Sequence, residues 1–330
     1  GVAAILAVME DTQLVHGPLE ALFTLEEETS MGGALNLAPD WLNGQRLINL
    51  DSEESGDVYF GCAGGSDVVV NAQLPGAPLR EDECGLSLAL TGLKGGHSGM
   101  DIHQPLGNAN RLMVRVLRSL GELGARLKSY HGGTLRNAIP REAFATLALP
   151  DYAWDDAMEE VAALEQVFKR ELGSADAGVT LTATPTTIDG EALTQDASAM
   201  LVATLHAAPC GVEKMSADVP GVVETSNNLG VLSLEEGRFH LCALVRSLHD
   251  SAVTAMTDRF TALFGLMGAR VKAENSYPGW VPDPDGEMLA LFNDQHKALL
   301  GHKPNFKVIH AGLECGIIGS KYPHLDMVSF

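Results

Sequence analysis

Paired cysteines are the first thing this chain lacks. Its five cysteines (Cys62, Cys84, Cys210, Cys242 and Cys315) are scattered over 330 residues, and none stands in a C-x-x-C pair. An odd, unclustered set argues against a disulfide framework and against a thiolate zinc knuckle. Such thiols fit best as small buried hydrophobes in a reducing compartment. Basic charge is also scarce, with 22 Lys and Arg against 43 Asp and Glu and a net charge of −21. A surface of that sign repels phosphate backbones and anionic lipid, so nucleic-acid and membrane partners are not expected. No apolar run reaches the length of a membrane span, and no basic segment precedes the first apolar stretch. The cytoplasm is the location these features suggest. A Gly-rich phosphate loop, an H-E-x-x-H pair and a G-x-S-x-G elbow are missing as well, so those chemistries have no motif here.

What is present is an ordinary globular balance, 45% apolar and 20% charged, at a length that suits two domains. Apolar strand runs alternate with helices at both ends of the chain, the pattern of an α/β domain on a mainly parallel sheet. The spacing predicts a helix over 2–9, a strand ending at Leu25, a strand ending at Asp51 and a short strand over 59–62 before a Gly64-Gly65 turn. From about Asp67 the runs alternate apolar and polar, as in strands with one wet face. Helices are expected over 106–123, 155–172, 195–208 and 252–267, with a hairpin turning at 235–237. This middle block reads as an α+β lid inserted into the α/β domain. The expected units are residues 1–66 and 261–330 for the split catalytic domain and 67–260 for the lid. Gly1 leads straight into an apolar helix with no N-cap, and the last residues read as a strand that stops. The chain is therefore expected to be a fragment of a longer protein.

Several side chains carry possible chemistry. Glu26-Glu27-Glu28 leaves the run Leu22–Leu25, and Asp51 ends the run Arg46–Leu50, so both fall at strand carboxyl ends, where open α/β sheets bind ligands. Adjacent glutamates can diverge, one holding a cation while its neighbour faces a water as general base. An acidic solvated turn, or a capping role for Asp51, is the plainer alternative. His97 sits among glycines in Gly95-Gly-His-Ser-Gly99 and can serve an oxyanion or simply the surface. Arg246 shares a strand face with His240 and Cys242, opposite Phe239, Leu241, Ala243 and Val245. There it can clamp a carboxylate or pair with a surface acid. Asn137 precedes a proline-marked turn and can bond a substrate or satisfy that turn. Glu314 lies where a strand meets a helix N-terminus and can serve that terminus or a substrate amino group.

Seven blocks carry a family resemblance. They are Leu47-Ile-Asn-Leu-Asp-Ser-Glu-Glu, Gly61-Cys-Ala-Gly-Gly, Gly92-Leu-Lys-Gly-Gly-His-Ser-Gly, Gly132-Gly-Thr-Leu-Arg-Asn-Ala-Ile-Pro, Gly221-Val-Val-Glu-Thr-Ser, Tyr277-Pro-Gly-Trp and His310-Ala-Gly-Leu-Glu-Cys-Gly. Together they resemble the zinc peptidase family that includes aminoacylase and peptidase T, and within it the Xaa-His dipeptidases, over the whole chain. The resemblance implies a split catalytic domain with two zinc ions (manganese or cobalt being possible substitutes), an inserted lid, a small dipeptide substrate and a possible homodimer. It implies Glu27 as general base, Glu28 and Asp51 as metal ligands, and His97, Asn137 and Arg246 as substrate contacts. Glu314 falls in a family motif and is carried as a substrate-binding residue of open role. The family's H-x-D motif, its bridging Asp and its His after Gly-Pro have no counterpart here, and Thr29-Ser30 replaces the usual Ala-Gly. The 330 residues alone are therefore expected to hold metal weakly and to have little activity. A broader dipeptidase, an N-acyl amino acid deacylase and a non-catalytic relic are the alternatives.

Overall fold

A computed structural model of the chain describes residues 1–27, 31–52 and 56–330. The smaller of its two main sheets runs in the order Arg46–Asn49, Asp326–Ser329, Asp57–Cys62 and Asn305–Ile309. Both outer pairings are parallel, and the two central strands meet antiparallel through Ser329 and Tyr59. Asp57–Cys62 is buried along its whole length, as a strand covered on both faces should be. The helices Glu287–Leu300 and Glu314–Lys321 supply much of that cover. Segments from both ends of the chain build this sheet, so the α/β part is split as expected.

The larger sheet has nine strands and is antiparallel throughout, running from Thr180–Thr186 at one edge to Arg270–Tyr277 at the other. The helices Ala109–Glu122, Gln195–Ala207 and Asp250–Gly265 cover one face, where strict alternation delivers Phe239, Leu241, Ala243 and Val245 to a continuous core. Asn108 and Thr194 start two of these helices by accepting the Arg111 and Ala197 N–H groups. Inside this unit Arg126 and Glu83 form a solvent-excluded pair, bonded at 2.5 and 2.8 Å. The remaining Arg126 hydrogens go to the carbonyls of Ala77, Pro78 and Leu193. Every polar hand of the buried cation is thus engaged, which such a pair requires. The five cysteines are all free thiols.

The expected hairpin forms, with Val223–Glu235 and Arg238–Ser247 paired along their lengths. Two local readings are corrected. Leu22–Leu25 makes no strand, because it has no ladder neighbour; Leu22 instead packs beside Ala34, Leu37 and Tyr322. Gly64 and Gly65 do not turn but open the strand Gly64–Gln73 of the larger sheet. A Cβ on Gly64 would stand 2.4 Å from the Gly279 nitrogen, so only glycine lets the two connecting segments pass. The strand Arg270–Tyr277 pairs with Gly64–Gln73, so the larger sheet reaches beyond residue 260. No helix among the described residues is long and apolar enough to cross a membrane.

Candidate active site

The described candidates fall into two groups, one on the α/β side and one on the side of the larger sheet. On the α/β side, the segment carrying Glu26 and Glu27 is bent back sharply. Glu26 and Met31 both adopt left-handed backbone, with φ of 61° and 51°, and the Met31 N–H bonds the Glu26 carbonyl. Such backbone in residues other than glycine persists only when surrounding structure enforces it. Thr24 fixes the bend from the other side, its hydroxyl donating to Glu314 Oε2 at 2.7 Å. That bond ties the glutamate segment to the start of the helix Glu314–Lys321. Asp51 follows the strand Arg46–Asn49 and acts on the same Glu314 carboxyl. Glu28 lies outside the described residues.

Glu314 is short of positive charge. It is 8% exposed, and its second oxygen, Oε1, is buried without a partner among the described residues. Burial pushes its carboxyl above the usual range, the Thr24 bond opposes that, and the Asp51 charge adds to it. Ser52 and Ser329 also bury hydroxyl oxygens without partners at this edge. Among the described residues no three His, Cys, Asp or Glu side chains converge to hold an ion. The edge still suits a cation, since its donors are hard oxygens and one buried carboxylate oxygen is unsatisfied.

On the other side, Arg246 lies on the face of the larger sheet opposite the core, while His97 belongs to a separate short ladder of Gly96–His97 with Ala138–Ile139, and Asn137 precedes its second strand. Arg246 is 5% exposed and donates to the Tyr277 hydroxyl at 2.8 Å, while its Nε is buried without a partner. Burial holds the guanidinium below its usual range, and no carboxylate among the described residues lies within ion-pair distance of it. An enclosed guanidinium without a counter-ion is costly unless a ligand supplies one.

His97 is oriented by its own turn. The N–H groups of Gly99 and Met100 point at Nδ1 at 3.3 and 3.1 Å, so Nδ1 accepts and the ring proton belongs on Nε2. Burial, and then the Arg246 charge, lower its basicity and keep it neutral. A neutral imidazole with a fixed Nε2–H is the form that donates to a developing oxyanion. Asn137 is carried on the neighbouring strand turn, where its carbonyl accepts from Ser98 N–H and Ala138 pairs with His97. Asn228 pins that turn by donating to the carbonyls of Arg136 and Ala138 at 3.1 and 2.7 Å.

The loop His310–Leu313 joins the two sides. A Cβ on Gly99 would stand 2.3 Å from the His310 carbonyl, so the His97 turn lies directly on this loop. His310 is buried, its Nε2 shares a 2.8 Å bond with Ser226, and Nδ1 has no partner. Burial first and the Arg246 charge second push its pKa down to about 3. Ser226 stands opposite Arg246 in the hairpin. Thr24, Ser226, Tyr277 and His310 are functional candidates to which sequence reasoning gave no role. The last three lie within motif blocks already noted, so their signal was visible although their partners were not.

Comparison with known proteins gives three findings. A family model described as a peptidase dimerisation domain matches residues 88–176, inside the larger-sheet unit. The cytosol non-specific dipeptidase of Escherichia coli (strain K12) is 42% identical over 330 residues, which is 100% of this chain and 68% of the relative. The crystal structure of aminoacylhistidine dipeptidase from Vibrio alginolyticus matches with a TM-score of 0.95 and 43% identity, over 100% of this chain and 67% of that one.

Proposed function

Because this chain belongs to the M20 metallopeptidase family, whose members are metal-dependent and include dipeptidases, we infer that its site hydrolyses short dipeptides, with Xaa-His substrates preferred. The observation that carries this reading is a pair of complementary vacancies in charge. Among the described residues, Arg246 is a buried guanidinium with no carboxylate at ion-pair distance, and Glu314 is a buried carboxylate with an unsatisfied oxygen. A dipeptide has one carboxylate and one ammonium to offer them. Arg246 acts on the His310 ring, and Glu314 lies four residues further on, joined by at most roughly 14 Å of chain, a scale suited to a short peptide.

In this reading Arg246 and Asn137 hold the carboxyl end of the substrate and Glu314 holds the amino end. A divalent ion held by Asp51 and Glu28, with zinc the expected metal and two ions the expected count, would acidify a water and polarise the scissile carbonyl. Glu27 takes the proton of the attacking water and returns it to the leaving nitrogen. The Nε2–H of His97 donates to the oxyanion. The boundaries 1–66, 67–260 and 261–330 remain the proposed catalytic and lid units, with the edge strand Arg270–Tyr277 attached to the lid sheet. A cytoplasmic homodimer is the proposed state of the protein.

The test uses the full-length polypeptide with an Xaa-His dipeptide, its N-acetyl form and its C-terminal amide. The free dipeptide should be hydrolysed, chelator dialysis should abolish the activity and zinc should restore it. Each blocked form should lose about 10- to 100-fold in kcat/KM, the worth of one charge-assisted contact. Glu27→Gln should lower kcat by about 10²- to 10⁴-fold. Equal turnover of the N-acetyl substrate would move the reading to a deacylase, and absence of any metal-dependent dipeptidase activity would end it.

A further inference from the structure

Four neighbouring strands of the larger sheet place Ser226, Arg246, Gly65 and Tyr277 in one cross-strand row. Ser226 pairs with Arg246, Arg246 with Gly65, and Gly65 with Tyr277. Residues directly opposite each other share a face, so all four belong to the face away from the core. Tyr277 stands two strands from Arg246 and reaches it because the position between them has no side chain. A Cβ on Gly65 would lie 2.7 Å from the Tyr277 hydroxyl oxygen and 2.9 Å from Cζ, so the phenol passes over the glycine. The ring also presses on Gly312 of the connecting loop, where a Cβ would meet Cε2 at 2.9 Å. Two close contacts with bare backbone thus fix where the hydroxyl sits.

That position decides which edge of Arg246 is left for a ligand. A guanidinium offers a carboxylate two forks, one end-on through Nη1 and Nη2 and one side-on through Nε and Nη2. Tyr277 accepts from Nη1 at 2.8 Å. Nε is buried without a partner, and Nη2 makes no hydrogen bond among the described residues. The side-on fork is therefore the edge with both donors free. Asp67, whose charge acts on Arg246, is committed elsewhere, its Oδ1 to Arg136 Nη1 at 2.9 Å and its Oδ2 to Asn275 Nδ2 at 2.8 Å. Burial pushes the Tyr277 phenol above its usual range, so it stays neutral. A neutral acceptor orients the cation without cancelling its charge, which a carboxylate in the same place would do.

We propose that Tyr277 is a positioning residue whose hydroxyl engages Nη1 so that Arg246 presents its Nε–Nη2 edge to the terminal carboxylate of the substrate, and that it thereby sets the preference for a free over a blocked carboxyl end. The proposal rests on the dipeptide reading, in which Arg246 holds that carboxylate. Without the hydroxyl, Nη1 loses its partner and the fork is no longer preorganised.

The test compares alanyl-histidine with its C-terminal amide, both as substrates of the full-length polypeptide and as calorimetric ligands of its Glu27→Gln variant. Tyr277→Phe deletes one oxygen and should lower the preference for the free acid by about tenfold, with the loss carried by KM and Kd more than by kcat. A ring that served the fold alone would weaken both ligands alike, and that result would overturn the proposal. In an Arg246→Gln background the same change should have no further effect on the preference. If Tyr277→Phe fails to fold by circular dichroism, Gly65→Ala, which displaces the hydroxyl without removing it, must lower the preference in the same way. An undiminished preference in Tyr277→Phe, where Arg246→Gln abolishes it, would overturn the proposal and leave the dipeptide reading standing. An equal further loss in the Arg246→Gln background would make Tyr277 a direct substrate contact and overturn it too. A preference indifferent to Arg246→Gln would remove the carboxylate clamp itself, and the proposal with it.

Discussion

Leu241 in the larger sheet is fully enclosed, in one core that runs from Val68 through Leu147 to Phe264, whereas Met288, on the helix Glu287–Leu300 that covers the smaller sheet, shares a much smaller buried cluster with Val58, Phe60, Leu289 and Val328. The α/β side also leaves Leu25 77% and Leu299 79% exposed, and no residue of the helix Val2–Glu10 is buried. Unpartnered buried polar atoms occur on both sides, Glu314 Oε1, Ser52 Oγ and Ser329 Oγ beside the smaller sheet and Ser98 Oγ, Asn227 Oδ1 and Arg246 Nε in the larger unit, whereas the Arg126–Glu83 pair inside the larger unit is fully engaged. The two regions therefore differ chiefly in the extent of their apolar cores.

The sharpest way to break this comparison is Arg126→Met. It leaves the Glu83 carboxylate buried without its partner and should cost about 3–5 kcal/mol in urea denaturation. Burial works to raise the Glu83 carboxyl, but the Arg126 bonds outweigh it and hold the pKa below the usual range. The stability this gives is complete above the unfolded value and is lost as pH falls through the folded one. The variant should therefore lose much of the wild-type acid sensitivity, and a cost under about 1 kcal/mol would show that the pair is not integral to the core.

Next in size is a matched pair of truncations. Leu241→Ala should cost about 4 kcal/mol and Met288→Ala about 2, because the second site has fewer neighbours to leave a cavity among. Equal values would remove the distinction between the regions. Smaller still is the pH response of His310. The unfolded ring protonates as pH falls through roughly 6.5, while the buried ring stays neutral down to about 3. Its contribution is whole above the first value and drains away below it, reaching about 2 kcal/mol of loss by pH 5. His310→Gln should flatten the urea midpoint between pH 7 and pH 5, and an unchanged slope would show that other groups govern it. Glu314→Gln should have the smallest effect and the opposite sign. A carboxyl raised by burial destabilises the fold above its pKa, so the amide should raise the midpoint at pH 7 while it weakens substrate binding. A lowered midpoint would mean that Glu314 serves the helix start rather than the substrate.

Much of this was legible in the chain. Period-two alternation placed Phe239, Leu241, Ala243 and Val245 against the core and Arg246 on the other face, which the structure repeats. Helix limits came within a few residues, since capping and apolar spacing are local signals. The misreadings are long-range. Leu22–Leu25 has the composition of a strand, but a strand also needs a neighbour. Gly64-Gly65 has the composition of a turn, but what fixes it is the backbone of Gly279, far away in sequence. Likewise, nothing local to Arg246 says that it is buried without a carboxylate. That depends on Tyr277, Ser226 and the His310 loop arriving from three other segments.

The chain crosses between the two sheets only at Cys62–Gly64 and Tyr277–Trp280, and the two crossings are stitched together by reciprocal Cys62 and Trp280 hydrogen bonds of 2.9 Å. Both sheets are therefore joined along the chain through one double-stranded strap. Tyr277, which accepts the Arg246 hydrogen bond, is the first residue of that strap. The hydroxyl that meets the Arg246 guanidinium thus belongs to the connection between the units, so a change that loosens the Cys62–Trp280 pairing is felt at that buried cation before it is felt in either core.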